Sequence, residues 1–322
     1  MRAILCPALG APLEIADLPE PALGPGAVRI RVAAAGLNFA DTLMIAGKYQ
    51  ERLAPPFVPG LELAGTVLEI GDGVTRCRPG DRVMAVTTGG AFAEQAVVAA
   101  DSVFPLPDGL DFTTAAGFAI AYGTSHLALA WKAGLKRGET LVVHGAGGGV
   151  GLTAVEIGGA LGATVIATAG GPDKLKLALA HGATHGIDSR AEDVRARIKE
   201  LTGGRGADVV YDPVGGALFE ASLRAMAPDG RLLVIGFASG EVPQIPANIL
   251  LVKNLTVIGF YWGGYRRSDP AAVRASLAKA LAWWADGRLD PHVSHTLPLA
   301  EAERALALLK SRTATGKVVL TI

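Results

Sequence analysis

A run of glycines between two apolar segments carries the clearest chemical signal in the sequence. The stretch reads VVHGAGGGVGLTAVEIGGALGATVIATAGG over residues 142–171. Against the G-x-G-x-x-G pattern of dinucleotide-binding loops, the residues in register are Ala146, Gly148 and Gly151. Small residues let the backbone approach a pyrophosphate, whose charge is favoured by the N–H groups at a helix start. The predicted cofactor loop comprises Gly145, Ala146, Gly147, Gly148, Gly149, Val150 and Gly151.

The second apolar run ends without an acidic residue. In sites for NADH, an Asp or Glu about 20 residues after the glycine motif accepts a hydrogen bond from the ribose 2′-hydroxyl. Here the run ends in ATAGG, and the next charged residues are Asp173 and Lys174. A carboxylate would repel a 2′-phosphate, whereas open space beside a cation admits one. The pattern therefore favours NADPH over NADH, although Lys174 is also compatible with a solvated residue in the first turn of a helix.

Strand and helix patterns alternate around this loop, which predicts a doubly wound parallel sheet. The predicted strands are Thr140–His144, Thr164–Ala169, Ala207–Tyr211, Arg231–Phe237 and Leu255–Gly259. The predicted helices are Val150–Leu161, Asp173–His181, Glu192–Leu201 and Ala217–Met226. The order strand, glycine turn, helix is the context that a dinucleotide site requires.

The residue pattern is different on either side of this region. Up to about residue 115, short β patterns such as VRIRVAAAG (Val28–Gly36) alternate with Pro/Gly turns, which predicts a compact all-β domain. After about residue 265 come two amphipathic helices and a last strand, GKVVLTI. We expect this tail to pack back on the first domain.

Composition excludes several classes of function. The chain of 322 residues carries 30 basic and 30 acidic residues with no long run of either sign. Binding to nucleic acid through phosphates requires a basic surface, so it is not expected. No uncharged apolar run is long enough for a membrane span, and the two cysteines, Cys6 and Cys77, are too few for a disulfide framework. These features are typical of a cytoplasmic protein that acts on a small molecule.

Several ordered motifs give the chain a strong resemblance to one family. They are GLNFADTLMIAGKY (Gly36–Tyr49), PPFVPGLELAGTVLEIGDGV (Pro55–Val74), GDRV (Gly80–Val83), HGAGGGVG (His144–Gly151), YDPVGG (Tyr211–Gly216) and SRTATGKVVL near the end. Together they resemble the zinc-independent quinone oxidoreductase branch, which includes the zeta-crystallins, of the medium-chain dehydrogenase/reductase superfamily. The resemblance implies an α/β protein with a GroES-like domain at 1–120, a Rossmann domain at 121–262 and a return to the first domain at 263–322.

The residues at the family's zinc positions are not zinc ligands. Zinc-dependent relatives have a Cys where this chain has Asn38 and a His where it has Leu61. Catalytic zinc requires several N or S ligands together, and Glu62 alone does not make a site. His181 and His185 have i, i+4 spacing, but the family's pattern places a turn and a strand start between them. No metal is expected.

By resemblance, the substrate cleft is lined by Asn38, which could hydrogen-bond a carbonyl, and Tyr49, which could do likewise or relay a proton. For both, the alternative is a polar residue satisfied inside the β domain. The family holds the 2′-phosphate with Lys, Tyr and Arg, which correspond to Lys174, Ser189 and Arg312; the loss of the Tyr leaves Arg190 as a possible substitute. The remaining residues expected near the nicotinamide are Thr124, Gly236, Phe237 and Asn254.

The expected function is transfer of hydride from NADPH to a quinone. Two alternatives stay open: reduction of the double bond of an enone or enoyl thioester, and NADPH binding in a non-enzymatic role. Without a metal to polarise a carbonyl, acceptors that are already electron-poor by conjugation need less assistance. The segment NLTVIGFYWGG is typical of an edge strand, which in this family pairs with a second subunit, so a homodimer is expected.

Overall fold

A computed structural model describes all residues, 1–322, and divides the chain into two compact units. The first contains residues 1–120 and 291–322, and the second contains residues 121–290. No helix combines the length and the apolar composition needed to cross a membrane.

The strands, in chain order, are β1 (Arg2–Leu5), β2 (Glu14–Asp17), β3 (Ala27–Gly36), β4 (Glu62–Ile70), β5 (Arg82–Val86), β6 (Gln95–Ala99), β7 (Val103–Pro105), β8 (Thr140–Val143), β9 (Thr164–Ala169), β10 (His185–Asp188), β11 (Ala207–Asp212), β12 (Met226–Val234), β13 (Thr256–Gly259), β14 (Val293–Pro298) and β15 (Lys317–Thr321). The helices are α1 (Phe39–Ile45), α2 (Phe112–Ala116), α3 (Ala119–His126), α4 (Gly149–Leu161), α5 (Pro172–Ala180), α6 (Val194–Leu201), α7 (Gly216–Ala225), α8 (Ala247–Lys253), α9 (Trp262–Ser268), α10 (Pro270–Ala285) and α11 (Ala302–Lys310). A π-helical segment, Leu127–Lys132, continues α3.

The first unit is built on a seven-stranded sheet in the order β14-β15-β3-β4-β5-β7, with β6 also paired to β3. The central strand β3 buries Val28, Ile30 and Val32, while Arg29 and Arg31 lie on its other face. This alternation matches the strand predicted at Val28–Gly36 and confirms the β-rich GroES-like domain. The last strand, β15, pairs antiparallel with β3, so the end of the chain belongs to this sheet.

The second unit has a six-stranded parallel sheet in the order β10-β9-β8-β11-β12-β13, which confirms the predicted Rossmann fold. From β8 the chain moves outward through β9 to β10, then returns to β11 and moves outward in the other direction. In such sheets ligands bind outside the carboxyl ends of the strands where the order reverses, here between β8 and β11.

Several predicted boundaries differ from the structure. The short strand β10 is expected only from the family's pattern and not from the apolar pattern of its residues, and β12 begins at Met226, which the pattern predicts to be the end of the preceding helix. The return to the first unit begins at Pro291 and not at 263. The reason is that α10 packs within the second unit, where Ser276 Oγ lies 2.8 Å from His126 Nδ1 and Trp283 meets the His126 ring edge-on at 5.2 Å.

Candidate cofactor and acceptor sites

The glycine loop forms a tight turn between β8 and α4. Gly145 adopts the left-handed backbone conformation at φ +59°, and the Gly148 N–H donates to the Gly145 carbonyl at 2.9 Å. A Cβ at Gly151 would lie 2.1 Å from that same carbonyl oxygen. Only glycine therefore permits this approach of α4 to the turn. The first N–H groups of α4 lack partners within the helix and are available to a pyrophosphate.

Lys174 borders the same loop. A Cβ at Gly147 would lie 2.8 Å from the Lys174 Cβ and 3.0 Å from its Cγ, so the stem of the lysine lies directly against the loop backbone. Lys174 stands in the first turn of α5, whose preceding residue, Gly171, has φ +97°. The structure thus brings together two elements that the sequence predicted separately, the loop and the cation after β9.

Arg190 occupies the space beyond the end of β9. A Cβ at Gly170 would lie 2.6 Å from Arg190 Nε, so the guanidinium crosses the glycine that follows the strand. Asp188 supports this turn, because its Oδ1 accepts from the Arg190 N–H at 2.9 Å and from the Gly171 N–H at 3.1 Å. These N–H groups lower the pKa of Asp188. Ser189 ties the turn to β9 through its N–H to Ala169 O at 3.0 Å.

The loops after β11 and β12 lie on the other side of the glycine turn. A Cβ added at Gly145 would lie 3.2 Å from Val214 Cγ2. A Cβ added at Gly215 would lie 3.3 Å from Phe237 Cδ1. The Phe237 side chain is partly exposed, and Gly236 approaches the Pro213 carbonyl. Gly236 and Phe237 therefore border the crevice at the carboxyl edge of the sheet.

Thr124 and Asn254, both expected near the nicotinamide, lie in different places. Ser125 Oγ donates to Val150 O at 3.0 Å, which places the neighbouring Thr124 beside the first turn of α4. Thr124 is buried. Asn254, in contrast, ends α8 at φ +54° and precedes β13, so it lies at the amino edge of the parallel sheet. Its expected position near the nicotinamide is wrong.

In the first unit, Asn38 is held by charged groups on both sides of its amide. It precedes α1, and its N–H donates to Asp41 Oδ2 at 2.7 Å. Its Nδ2 donates to Glu62 Oε1 at 2.9 Å, and its Oδ1 accepts from Lys317 Nζ at 2.9 Å. The sequence analysis missed Lys317 because it lies 279 residues from Asn38 along the chain.

Lys317 and Glu62 form a buried ion pair. Lys317 Nζ donates to Glu62 Oε1 at 2.7 Å and to Leu37 O at 2.8 Å, in addition to Asn38. All three ammonium hydrogens are therefore used. Glu62 is fully buried, and its Oε2 accepts from the Ile120 N–H at 3.0 Å. Such a pair is tolerated in the interior because hydrogen bonds satisfy the remaining atoms of both charged groups.

The side chains at this place do not fit a zinc ion. Leu61 is a member of the hydrophobic core, and an ammonium group already lies against Asn38 and Glu62. No group of three or more His, Cys, Asp or Glu side chains in the chain could hold a metal ion. His181 follows the end of α5 and lies 2.6 Å from Glu156, whereas His185 begins β10.

Burial controls the charge of Asp41. Its side chain is fully buried, and burial raises its pKa from the ordinary value of 3.8 to about 7. The Asn38 N–H and the positive charge of Lys317 act in the opposite direction, while Glu62 raises the pKa further. Asp41 thus exchanges its proton near neutral pH beside the Asn38 cluster.

Two predicted site residues lie elsewhere in the first unit. Tyr49 is half-buried and packs against the hydrophobic core of that unit. Arg312 follows the last turn of α11 at φ +57°. The roles predicted for them, at the acceptor and at the 2′-phosphate, stay predictions.

Comparison with known proteins agrees with this geometry. Residues 24–108 match the family described as "Alcohol dehydrogenase GroES-like domain", and residues 149–281 match "Zinc-binding dehydrogenase". The chain is 41% identical to a "Quinone oxidoreductase-like protein 2 homolog" of Nematostella vectensis over 99% of this chain and 88% of that protein. It is 39% identical to a "Quinone oxidoreductase" of Pseudomonas aeruginosa over 97% of both. The chain belongs to the zinc-independent quinone oxidoreductase branch of the medium-chain dehydrogenase/reductase superfamily.

Solved structures of the family carry the same fold. The Escherichia coli quinone oxidoreductase complexed with NADPH superimposes with a TM-score of 0.93 at 31% identity, over 100% of both chains. That relative binds NADPH in its crystals. The zinc in the name of one matching family has no counterpart among the side chains around Asn38.

Replacement of Gly151 tests the cofactor loop. A methyl group in Gly151→Ala would collide with the Gly145 carbonyl, so we expect the melting temperature to fall and NADPH affinity to decrease at least about tenfold, as expected when a close backbone approach is lost. Gly159→Ala, in the same helix, has no atom nearer than 3.7 Å and should stabilise the protein by about 0.5–1 kcal/mol. Thermal melts and titration of NADPH fluorescence measure both. If Gly151→Ala and Gly159→Ala had the same melting temperature and the same affinity for NADPH, the close approach at Gly151 would not be required.

Replacement of Asp41 tests its buried proton. Because the folded protein binds this proton more tightly than the unfolded chain, the stability due to Asp41 is full below about pH 4 and is lost as pH rises through about 7. The Asp41→Asn variant cannot lose a proton at this position, so its unfolding free energy should not show this decrease. The difference in unfolding free energy between the variant and wild type should therefore increase by about 2–3 kcal/mol in favour of the variant as the pH is raised from 5 to 8. Urea unfolding at several pH values measures the difference. In the control variant Asp72→Asn, which changes an exposed carboxyl, the unfolding free energy should depend on pH as in wild type. If the unfolding free energy of Asp41→Asn also runs parallel to that of wild type over this pH range, the raised pKa of Asp41 is refuted.

Proposed function

We propose that the protein is an NADPH-dependent, zinc-independent reductase that transfers hydride to a conjugated carbonyl compound, with quinones as the preferred acceptors. The observation that carries this proposal is the end of β9. Gly170 stands there in place of a carboxylate, and the Arg190 guanidinium lies across it, with Lys174 against the neighbouring loop. Family membership supports the reaction class.

The two cations fit a 2′-phosphate. A phosphate has acceptor oxygens that match the planar donor face of an arginine, and a lysine adds a point charge. Asp188 holds the backbone of the exposed Arg190 turn through two hydrogen bonds, which limits the positions that the guanidinium can take. In this chain Arg190 takes the place of the aromatic contact that the family makes at the position of Ser189. We assign Arg312 to the same phosphate from its motif.

When bound, NADPH supplies the hydride, and an electron-poor acceptor takes the electron pair with it. The protein's part is to position the acceptor and stabilise the charge that develops on its oxygen. Asn38 has one Nδ2 hydrogen beyond the one given to Glu62, and we assign that hydrogen to the acceptor oxygen. Tyr49 is assigned as the second polar group of the acceptor pocket, and Thr124 as a contact of the nicotinamide.

Conjugated acceptors suit this site better than simple ketones. The side chains around Asn38 do not fit a metal ion that could polarise a carbonyl, so the acceptor has to be electron-poor by itself. Quinones satisfy this condition at two carbonyls. Enones and enoyl thioesters satisfy it at one, and their reduction is the alternative that the assay below separates.

The assay follows the loss of nicotinamide absorbance with an ortho-naphthoquinone as acceptor, on protein dialysed against EDTA. We expect metal-independent oxidation of NADPH in preference to NADH. Turnover with a vinyl ketone but not with the quinone would replace quinone by enone reduction. Tight NADPH binding without turnover on either acceptor would favour the non-enzymatic role.

The Arg190→Ala variant tests the origin of cofactor preference. Loss of one charge-assisted contact, worth about 1.5–3 kcal/mol, should raise the KM for NADPH about 10- to 100-fold and leave the KM for NADH unchanged. Arg195→Ala, an exposed arginine on α6 of the same unit, is the matched control and should change neither value. An equal effect of Arg190→Ala on both cofactors would exclude the 2′-phosphate as its partner.

We propose that β13 pairs with β13 of a second copy to form a homodimer. It is one of the two edge strands of the six-stranded sheet, and an unpaired edge offers free N–H and C=O groups to another strand. The preceding helix α8 presents Leu251 and Val252, which are 78% and 76% exposed. A two-fold axis would bring the two copies of this apolar pair together with the two strands.

The dimer is tested by sedimentation of the double variant Leu251→Glu/Val252→Glu. Burial of four added carboxylates across the axis opposes association, so we expect monomers at concentrations where wild type is dimeric. Leu179→Glu, at a 45% exposed leucine on α5, should remain dimeric. A monomeric wild type would refute the proposal, as would an unchanged dimer in the double variant.

The cytoplasmic location predicted from composition also stays a proposal. Cys6 and Cys77 are both free and buried, which supports a compartment in which thiols remain reduced.

A further inference from the structure

The buried ion pair at Asn38 determines which way the side-chain amide faces. Lys317 Nζ can only donate, so the Asn38 atom 2.9 Å away must be the carbonyl oxygen. Glu62 Oε1 accepts from Lys317, and an ionised carboxylate can only accept, so the atom beside it must be the amide nitrogen. A flipped amide would set N–H against the ammonium and oxygen against the carboxylate. One orientation is therefore enforced at both ends of the amide.

The fixed amide leaves one kind of group for a ligand. Its oxygen is occupied by Lys317, and one Nδ2 hydrogen is given to Glu62. The second Nδ2 hydrogen has no acceptor within the protein. Asn38 is half-buried, in contrast to the buried Glu62 and Lys317, so it is the side chain of the cluster that solvent or a ligand reaches.

The surrounding backbone is shaped around this arrangement. A Cβ at Gly117 would lie 3.0 Å from Lys317 Cγ, and a Cβ at Gly36 would lie 2.9 Å from Glu62 Oε1. Both glycines leave room for the charged side chains. The cluster joins β15, β4 and the start of α1, three parts of the first unit that are far apart in sequence.

We propose that Lys317 and Glu62 are positioning residues for the acceptor: they hold Asn38 so that it presents only an N–H, and the site therefore selects acceptors that bring a carbonyl oxygen next to the reacting carbon. This inference rests on the proposed reductase function. Withdrawal of electrons by the ammonium at the amide oxygen also strengthens the remaining N–H as a donor. A donor held in advance toward a developing oxyanion contributes mainly to kcat.

The test is a double-mutant cycle between Lys317→Met and Asn38→Ala, assayed with NADPH and an ortho-naphthoquinone. We expect Lys317→Met to lower kcat about 10- to 100-fold, as for loss of a preorganised donor, with the KM for NADPH unchanged. In the Asn38→Ala background the same change should have little further effect, because Lys317 acts through Asn38. If the reductions in kcat multiply, the positioning role is overturned.

Arg29→Met is the matched control, because it removes a cation from a partly buried ion pair with Glu69 in the same sheet. Its kcat should remain that of wild type, and a loss equal to that of Lys317→Met would overturn the proposal by showing a general effect on the domain. If Lys317→Met leaves Glu62 unpaired and does not fold, the neutral pair Lys317→Met/Glu62→Gln takes its place in the cycle. Failure of wild type to reduce either quinone or vinyl ketone would refute the reductase function itself, whereas turnover with independent effects refutes only the positioning.

Discussion

The hydrogen-bonded ion pair between Lys317 and Glu62 holds the functional part of the first unit together. A charge buried in the interior is costly unless its bonds are satisfied, and here every ammonium hydrogen and both carboxylate oxygens have partners. The pair fastens the final strand to the centre of the sheet and sets the amide of Asn38 between two opposite charges. Packing of the core around it secures the fold, but the pair decides what the surface of this unit offers to a ligand.

In the second unit the corresponding constraint is steric. Backbone atoms of the glycine turn and of the first turn of α4 approach so closely that Gly151 has no room for a side chain. This approach directs the amino end of α4 at the space outside β8. The cations Lys174 and Arg190 are then placed by contacts with glycines, Gly147 and Gly170, that lack side chains. The positions of both cations in the proposed phosphate site therefore depend on side chains that are absent at Gly147 and Gly170.

The sequence pattern predicted the elements whose bounds depend on residues within the segment itself. The strand at Thr164–Ala169 matches β9 at both ends, and α4 differs from its predicted range by one residue, because apolar periodicity and the glycine signals lie within the segments themselves. The strand β10 is not predicted by local periodicity, because its four residues, HGID, have only a short apolar pattern, and only the family's pattern indicates a strand there. The start of β12 at Met226 depends on pairing with Ala207, which the sequence of either segment does not reveal.

The cofactor loop could be located from the sequence, whereas the Asn38 cluster could not. Lys317 and Glu62 are 255 residues apart and meet only through the pairing of β15 with β3 and of β3 with β4. Nor does any local pattern show that Asn254 lies at the amino edge of the sheet, since its position follows from the direction of β13. Contacts between distant segments carry the information that a linear pattern lacks.

The contact between Gly170 and Arg190 also bears on how the cofactor preference could change during evolution. The Cβ of an Asp or Glu introduced at position 170 would lie 2.6 Å from Arg190 Nε, so the arginine would have to shift, and a guanidinium still beside the new carboxylate would compete with a ribose hydroxyl for it. Loss of the arginine first would weaken the proposed phosphate site, which would keep Lys174, and would supply no acceptor for a ribose hydroxyl. The two positions are therefore coupled by their contact, and under the proposed assignment a lineage that exchanged one cofactor for the other would have to change both.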